Sequence, residues 1–143
     1  MTRLEPQREA TPAPVPSLTS APFWAGCAER VLRFQRCLAC GSAVFEPNAG
    51  CPACGASDLV WQRSAGLGTL RSWTVVWRPP TAAFQVPYAP VVVELDEGFH
   101  LLSAAVDCEP HELGVGLRVE VVFHPTPMGA WLPYVRPTKR CAP

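Results

Sequence analysis

The chain has 143 residues, 48% of them hydrophobic, with twelve basic residues balancing twelve acidic ones. That length supports one ordinary core, or a small core plus a satellite that needs its own staple. No run of eighteen apolar residues is present and the N-terminus lacks the basic-then-apolar order of an export signal, so the expectation is a soluble, cytoplasmic protein with no membrane contact.

In chain order, residues 1–20 carry four of the seventeen prolines and few large apolar side chains besides Leu4 and Leu18, and are read as a disordered or extended arm. From Ser20 the texture changes. The stretch SAPFWAGCAERVLRF offers a capping serine, a proline near the first turn, and Phe23, Trp24, Cys27 and Val31 at helical spacing, which predicts a short amphipathic helix. Such a helix either covers the core or docks another chain through Phe23 and Trp24. Two cysteine pairs follow, so that residues 21–60 form one unit of helix and ribbon.

Residues 61–137 are dominated by strand signals at 67–77, 89–97, 99–107, 117–125 and 131–137, each bounded by Gly, Pro or Asp. Asp96-Glu97-Gly98 should turn the second strand into the third, and CEPHELGVG between the third and fourth suits one helical turn. Five strands with a short helical element after the third is the order of an OB-fold barrel, which makes the fold mainly β. Barrels of that kind bind ligands across strands two and three, between the loops after strands one and four. Those loops are 78–88, carrying Arg78, Phe84 and Tyr88, and 125–130. The first is long and proline-rich, and is either a binding edge or a hydrophobic flap. Residues 138–143 form a tail.

Two C-x-x-C-G knuckles stand ten residues apart in CLACGSAVFEPNAGCPACG, and zinc prefers the four thiolates such a pair supplies. Gly41 and Gly55 suit the positive φ required just after the second cysteine of each knuckle. Cys37, Cys40, Cys51 and Cys54 are therefore the expected zinc ligands, with iron in a rubredoxin-like site as the chemical alternative. A doubled motif outside a βαβ context does not fit thioredoxin chemistry, and four protein thiolates leave no open position for a catalytic metal. Cys27, Cys108 and Cys141 read as structural or incidental, and His100, His111 and His124 form no ligand-spaced set.

The helix, the ribbon, G-x-L-R-S-W-T-V-V-W-R-P-P, P-Y-A-P-V-V-V-E-L-D-E-G and a closing G-x-x-V-E-V-V-F together resemble the zinc-ribbon/OB-fold family of acyl-CoA-associated proteins, over about residues 22–137. The resemblance implies a non-catalytic partner of a thiolase-like enzyme, a side-chain aldolase or an acyltransferase, organising assembly and the channel for an acyl-CoA ester. Catalytic residues would lie on the partner chain. Arg78, Phe84, Tyr88, Phe23 and Trp24 are the candidates for the partner or acyl-chain edge. No Ser/His/Asp or Cys/His set, close carboxylate pair or phosphate-cradling loop stands out in the residues themselves.

The rival class is single-stranded nucleic-acid binding, with Trp77, Phe84, Tyr88, Trp131 and Tyr134 as stacking platforms. Charge opposes it. Between Trp61 and Val135 there are four basic residues against seven acidic ones, and Lys139 is the one lysine of the chain. Phosphate tracking needs a basic groove that this balance does not supply, so no nucleic-acid partner is expected.

Overall fold

The computed structural model describes residues 2–9 and 11–138. It is mainly β: one N-terminal helix, a three-stranded ribbon sheet and a closed five-stranded barrel.

Helix α1 spans Ala21–Ala28, with Pro22 in its first turn, where a missing N–H is harmless. Ser20 does begin it, but not as a side-chain cap: its hydroxyl accepts from the Ser17 N–H at 2.8 Å, and the helix is entered through a preceding turn. The helix stops earlier than the apolar spacing through Val31 implied. Arg30 adopts φ 59, its N–H reaches Cys27 O at 3.0 Å, and the Val31 N–H reaches Gly26 O at 2.8 Å. That pair of bonds is the Schellman arrangement, which ends a helix and turns the chain away. Gly26 makes it possible, since a Cβ there would lie 2.7 Å from Val31 O.

Strands β1 (Arg33–Cys37), β2 (Ala43–Val44) and β3 (Leu59–Arg63) form the ribbon sheet in the order β2-β1-β3, all antiparallel. The barrel is built from β4 (Leu67–Trp73), β5 (Ala89–Leu95), β6 (His100–Ala105), β7 (Arg118–Pro125) and β8 (Trp131–Pro137), closed in the order β4-β5-β6-β8-β7. A 3-10 turn, Pro110–Glu112, sits between β6 and β7. This is the Greek-key order of the OB-fold. β5 alternates strictly between buried and half-buried residues, which gives the barrel Val91, Val93 and Leu95 as core. The first barrel strand ends at Trp73 rather than at residue 77. Pro90 on the facing strand has no N–H to donate, so beyond Trp73 the pairing is carried by Thr74 N–H to Pro90 O and by one isolated bridge, Val76 to Tyr88.

The turn at 96–98 does more than reverse the chain. Glu97 accepts from the Ser64 hydroxyl at 2.8 Å and from the Ala65 N–H at 2.9 Å, fastening the barrel to the end of the ribbon. Asp96 takes a two-pronged ion pair from Arg118 at 2.7 and 2.8 Å, and Glu94 pairs with Arg71. Hydrogen bonding to Arg118 holds the Asp96 carboxyl below its ordinary value.

Ribbon, helix and barrel share one core. Phe34 of β1 is 1% exposed and stacks on Phe99 of the barrel at 4.9 Å; Phe99 stacks in turn on Phe45 at 5.0 Å, and Phe45 meets Phe23 of α1 edge-on at 5.5 Å. Four segments of chain thus converge on a line of aromatic rings, a geometry that contributes beyond the area it buries.

The N-terminal arm, read as disordered or extended, is fastened to the barrel at Leu4. That side chain is fully buried, its N–H donates to Cys108 O at 2.8 Å, and its carbonyl accepts from the Asp107 N–H at 2.9 Å. One leucine that fills an apolar hole and two backbone bonds suffice to lay the segment along the barrel. Cys27 and Cys108 are buried core residues, while Cys141 lies outside the described residues. Among the described residues no helix is long and apolar enough to cross a membrane.

Candidate metal centre and adjoining apolar groove

The two knuckles are copies of one another. In each, the glycine has φ 78 and its N–H returns to the first cysteine's carbonyl at 2.8 Å, Gly41 to Cys37 and Gly55 to Cys51. The turn is closed so tightly that an L-residue in its place would be strained. The Sγ atoms of Cys37, Cys40, Cys51 and Cys54 all lie within 4.8 Å of one another, with Cys37 to Cys54 at 3.6 Å and Cys40 to Cys51 at 3.7 Å. A zinc ion with Zn–S bonds of about 2.3 Å requires sulfur-to-sulfur edges of about 3.8 Å, which those two edges match, and the four thiols are close enough together to share one such ion.

Their electrostatics lead to the same place. Hydrogen bonding to Ser42, by side chain and backbone, brings Cys40 down to about 6. For Cys54 a backbone bond from Ala56 pulls the pKa down, but the adjacent Cys40, burial and the other two thiols outweigh it and push it up to about 12. One sulfur ionises readily and its neighbour then resists, a conflict that a divalent cation at the centre removes. Around the thiols the apolar support is thin, limited to Val44, Ala56 and Leu59. Cys37 and Cys51 are buried, Cys40 and Cys54 exposed. The ribbon's other brace is Gln35, whose buried side-chain amide accepts from the Asn48 N–H at 2.8 Å and donates to Asn48 O at 3.0 Å.

A groove of about 490 Å³ is lined in part by the hairpin that joins the two knuckles. Phe23 and Trp24 of α1, Phe45 of the ribbon, Phe84 and Tyr88 of the loop after β4, and Leu102 of β6 line it. Four of the five residues predicted for a binding edge, Phe23, Trp24, Phe84 and Tyr88, are therefore brought together. Arg78 is not: it is exposed and outside the groove. Phe23 is also more deeply set than a free docking aromatic, being 7% exposed. The loop at 125–130 does not join the groove either; Pro125, Thr126 and Pro127 line a separate, more polar depression with Arg8 and His124.

Phe45 and Gln7 escaped the sequence reading. Phe45 is a lone aromatic in the hairpin between the knuckles, a detectable signal that the cysteines obscured, whereas nothing in the arm marks Gln7. Of the five aromatics considered for base stacking, Trp77 is exposed, Phe84 and Tyr88 stack on each other at 5.7 Å, Tyr134 is buried, and Arg30 covers Trp131 at 4.4 Å.

Fold and thiol set together define a zinc ribbon joined to an OB-fold barrel. The donor set alone would accept iron, but the matched domain is a zinc one. Residues 24–60 match the model of the ChsH2 rubredoxin-like zinc ribbon domain, and residues 61–124 match that of the ChsH2 C-terminal OB-fold domain. The chain belongs to this family, known also as DUF35. It is 35% identical over 92 residues to a DUF35 domain-containing scaffold protein of Methanothermobacter thermautotrophicus, covering 62% of this chain and 68% of that one. It is 35% identical over 116 residues to a probable enoyl-CoA hydratase alpha subunit of Thermomonospora curvata; the match takes in 80% of this chain but only 36% of that longer protein. Among solved structures, the Ltp2-ChsH2(DUF35) aldolase superposes with a TM-score of 0.80 at 32% identity, over 87% of this chain and 98% of the matched chain.

Proposed function

We propose that this chain is a non-catalytic accessory subunit of an acyl-CoA-processing enzyme complex, with a thiolase-like enzyme, aldolase or acyltransferase as its partner. It organises the assembly and lines the path of the CoA ester, while the partner supplies the chemistry. The observation that carries this reading is the groove. Its wall is aromatic and aliphatic, and its titratable residues are Glu46, which is exposed, and two tyrosines, Tyr88 and Tyr134, the second with its pKa raised by burial. Such a surface binds and shapes, and offers no acid–base pair to a reacting bond. The zinc centre supports the same reading, because four thiolates complete the coordination shell and make the ion a structural staple. The relatives' names, scaffold protein, hydratase alpha subunit and ChsH2 within an aldolase, point toward the same partner class.

Co-expression with a thiolase-like acyl-CoA enzyme of the same organism tests the proposal. The two chains should co-elute on size exclusion in a fixed ratio, and the enzyme's melting temperature should rise in the complex. Separate elution with an unchanged melting temperature, for each such enzyme of the host, would remove the accessory role.

A further inference from the structure

The four thiols of the ribbon are not equivalent. Cys37 and Cys51, the first of each knuckle, are buried among Val44, Ala56 and Leu59, whereas Cys40 and Cys54 are exposed. One sulfur of each knuckle is therefore open to an oxidant arriving from solvent. With the ion bound all four are thiolates, the form that peroxides attack. What then separates Cys40 from Cys54 is the hydrogen bonding each sulfur accepts.

Both receive a backbone N–H, Cys40 from Ser42 and Cys54 from Ala56. Cys40 has a further partner: the Ser42 hydroxyl lies 3.1 Å from its Sγ, and against a metal-bound thiolate it is the hydroxyl that donates. The second knuckle carries Ala56 at the place of Ser42, two residues past its second cysteine, and a methyl group donates nothing. A thiolate that shares less of its charge with donors is the stronger nucleophile. One such bond changes its rate about threefold at a Brønsted slope of about 0.4–0.5. The Cys54 Sγ also lies 3.6 Å from that of buried Cys37 in the other knuckle, so a short approach brings the two to the ~2.05 Å of a disulfide.

We propose that Cys54 is the peroxide-sensitive residue of the ribbon and that Cys37 resolves it, so that hydrogen peroxide converts the metal centre into a cross-knuckle disulfide. The Cys54 thiolate attacks one peroxide oxygen; an S–O bond forms, the O–O bond breaks and hydroxide leaves, giving a sulfenic acid. The Cys37 thiolate then attacks the Cys54 sulfur; the S–S bond forms, the S–O bond breaks and a second hydroxide leaves. The two sulfurs together lose two electrons and one peroxide gains them. Cys40 and Cys51 remain, two thiolates where a structural site requires four ligands, and the ion is no longer held. This modification site depends on the ribbon's own residues and stands apart from the accessory role.

The test uses the full zinc-loaded chain carrying Cys141→Ser, which removes the tail thiol from competition, and limiting hydrogen peroxide. In one arm dimedone captures the sulfenic acid; in the other, disulfides are mapped on non-reduced peptides while released zinc is read with a colorimetric chelator. Dimedone should label Cys54 about three times as heavily as Cys40, and Cys37 and Cys51 less than either. Without the trap, a Cys37–Cys54 disulfide should form in step with zinc release, and both should reverse on adding reductant and zinc. Ser42→Ala keeps the backbone carbonyl that accepts from the Cys37 N–H, and should raise labelling of Cys40 about threefold. Ala56→Ser should protect Cys54 by about the same factor. Labelling led by Cys40 or by a buried cysteine, equal labelling in the parent, or variants that leave the ratio unchanged would overturn the assignment of Cys54. A Cys51–Cys54 bridge, or zinc retained by the oxidised chain, would overturn the resolving step.

Discussion

Removing the metal should dismantle one end of this protein and spare the other. Around the four thiols the apolar support amounts to little more than Val44 and Leu59, worth about 3–6 kcal/mol if both were fully buried, while Phe45 of the intervening hairpin packs on the main core instead. A four-thiolate zinc site contributes on the order of 10–16 kcal/mol in small domains. The metal therefore dominates here, whereas Leu32 and Phe34, at the other end of the ribbon, are held by the main core. Chelation followed by hydrogen exchange should strip protection from the Gly41 and Gly55 amides, which bond to Cys37 and Cys51 carbonyls, and leave Val93, Leu101 and Val135 protected. Released zinc can be read with a colorimetric chelator, one equivalent per chain. Acid should act in the same direction, because the ligands bind as thiolates and protons compete with the metal. If the Gly41 and Gly55 amides stayed protected in the metal-free chain, the claim that zinc rather than packing holds the knuckles would be wrong.

Two further perturbations probe the shared core. Phe34→Ala removes a fully buried ring stacked on Phe99 and should destabilise the whole chain by about 3–5 kcal/mol, with ribbon and barrel melting together in a denaturant titration; a barrel transition left in place would show that the two are separate units. Cys27 is pushed up to about 12 by burial and Cys108, also mainly by burial, to about 11, against 9.0 for a free thiol. Raised folded values favour the neutral form, so their stabilisation is complete below pH 9 and is lost as pH rises toward 11 and 12. At pH 10 each should forfeit about 1.4 kcal/mol relative to neutral pH, and the Cys27→Ala chain should lack that one share of the loss when its denaturant unfolding is compared with the parent's. The zinc ligands act in the opposite sense, because unfolded thiols near 9.0 are still protonated at neutral pH while the bound ones are thiolates, so the difference between the parent and the Cys27→Ala chain, rather than either curve alone, isolates the buried thiol.

The sequence was most informative where chemistry or alternation is local. Two identical knuckles could be read from spacing and glycine alone, because a C-x-x-C-G turn closes on itself. The barrel strands were legible because alternation such as that of Pro90-Val91-Val92-Val93 needs no knowledge of the partner strand. Misreadings arose where a distant contact decides the outcome. Nothing in an arm read as disordered or extended marks Leu4 for the hole beside Cys108, and the apolar spacing through Val31 outran a helix that Arg30 and Gly26 terminate. Arg78 shares a loop with Phe84 and Tyr88, but only the aromatic part of that loop lines the groove. The groove itself, assembled from arm, helix, ribbon hairpin and barrel, has no contiguous signature at all.

The most direct test of the accessory role is turnover of acyl-CoA esters by three samples: this chain alone, the co-eluting acyl-CoA enzyme alone, and the reconstituted zinc-loaded complex. The account predicts no turnover by the chain, weak or unstable activity in the partner, and restored activity in the complex that chelation abolishes as the chains separate. Turnover by the isolated chain, or a partner indifferent to its presence, would contradict it.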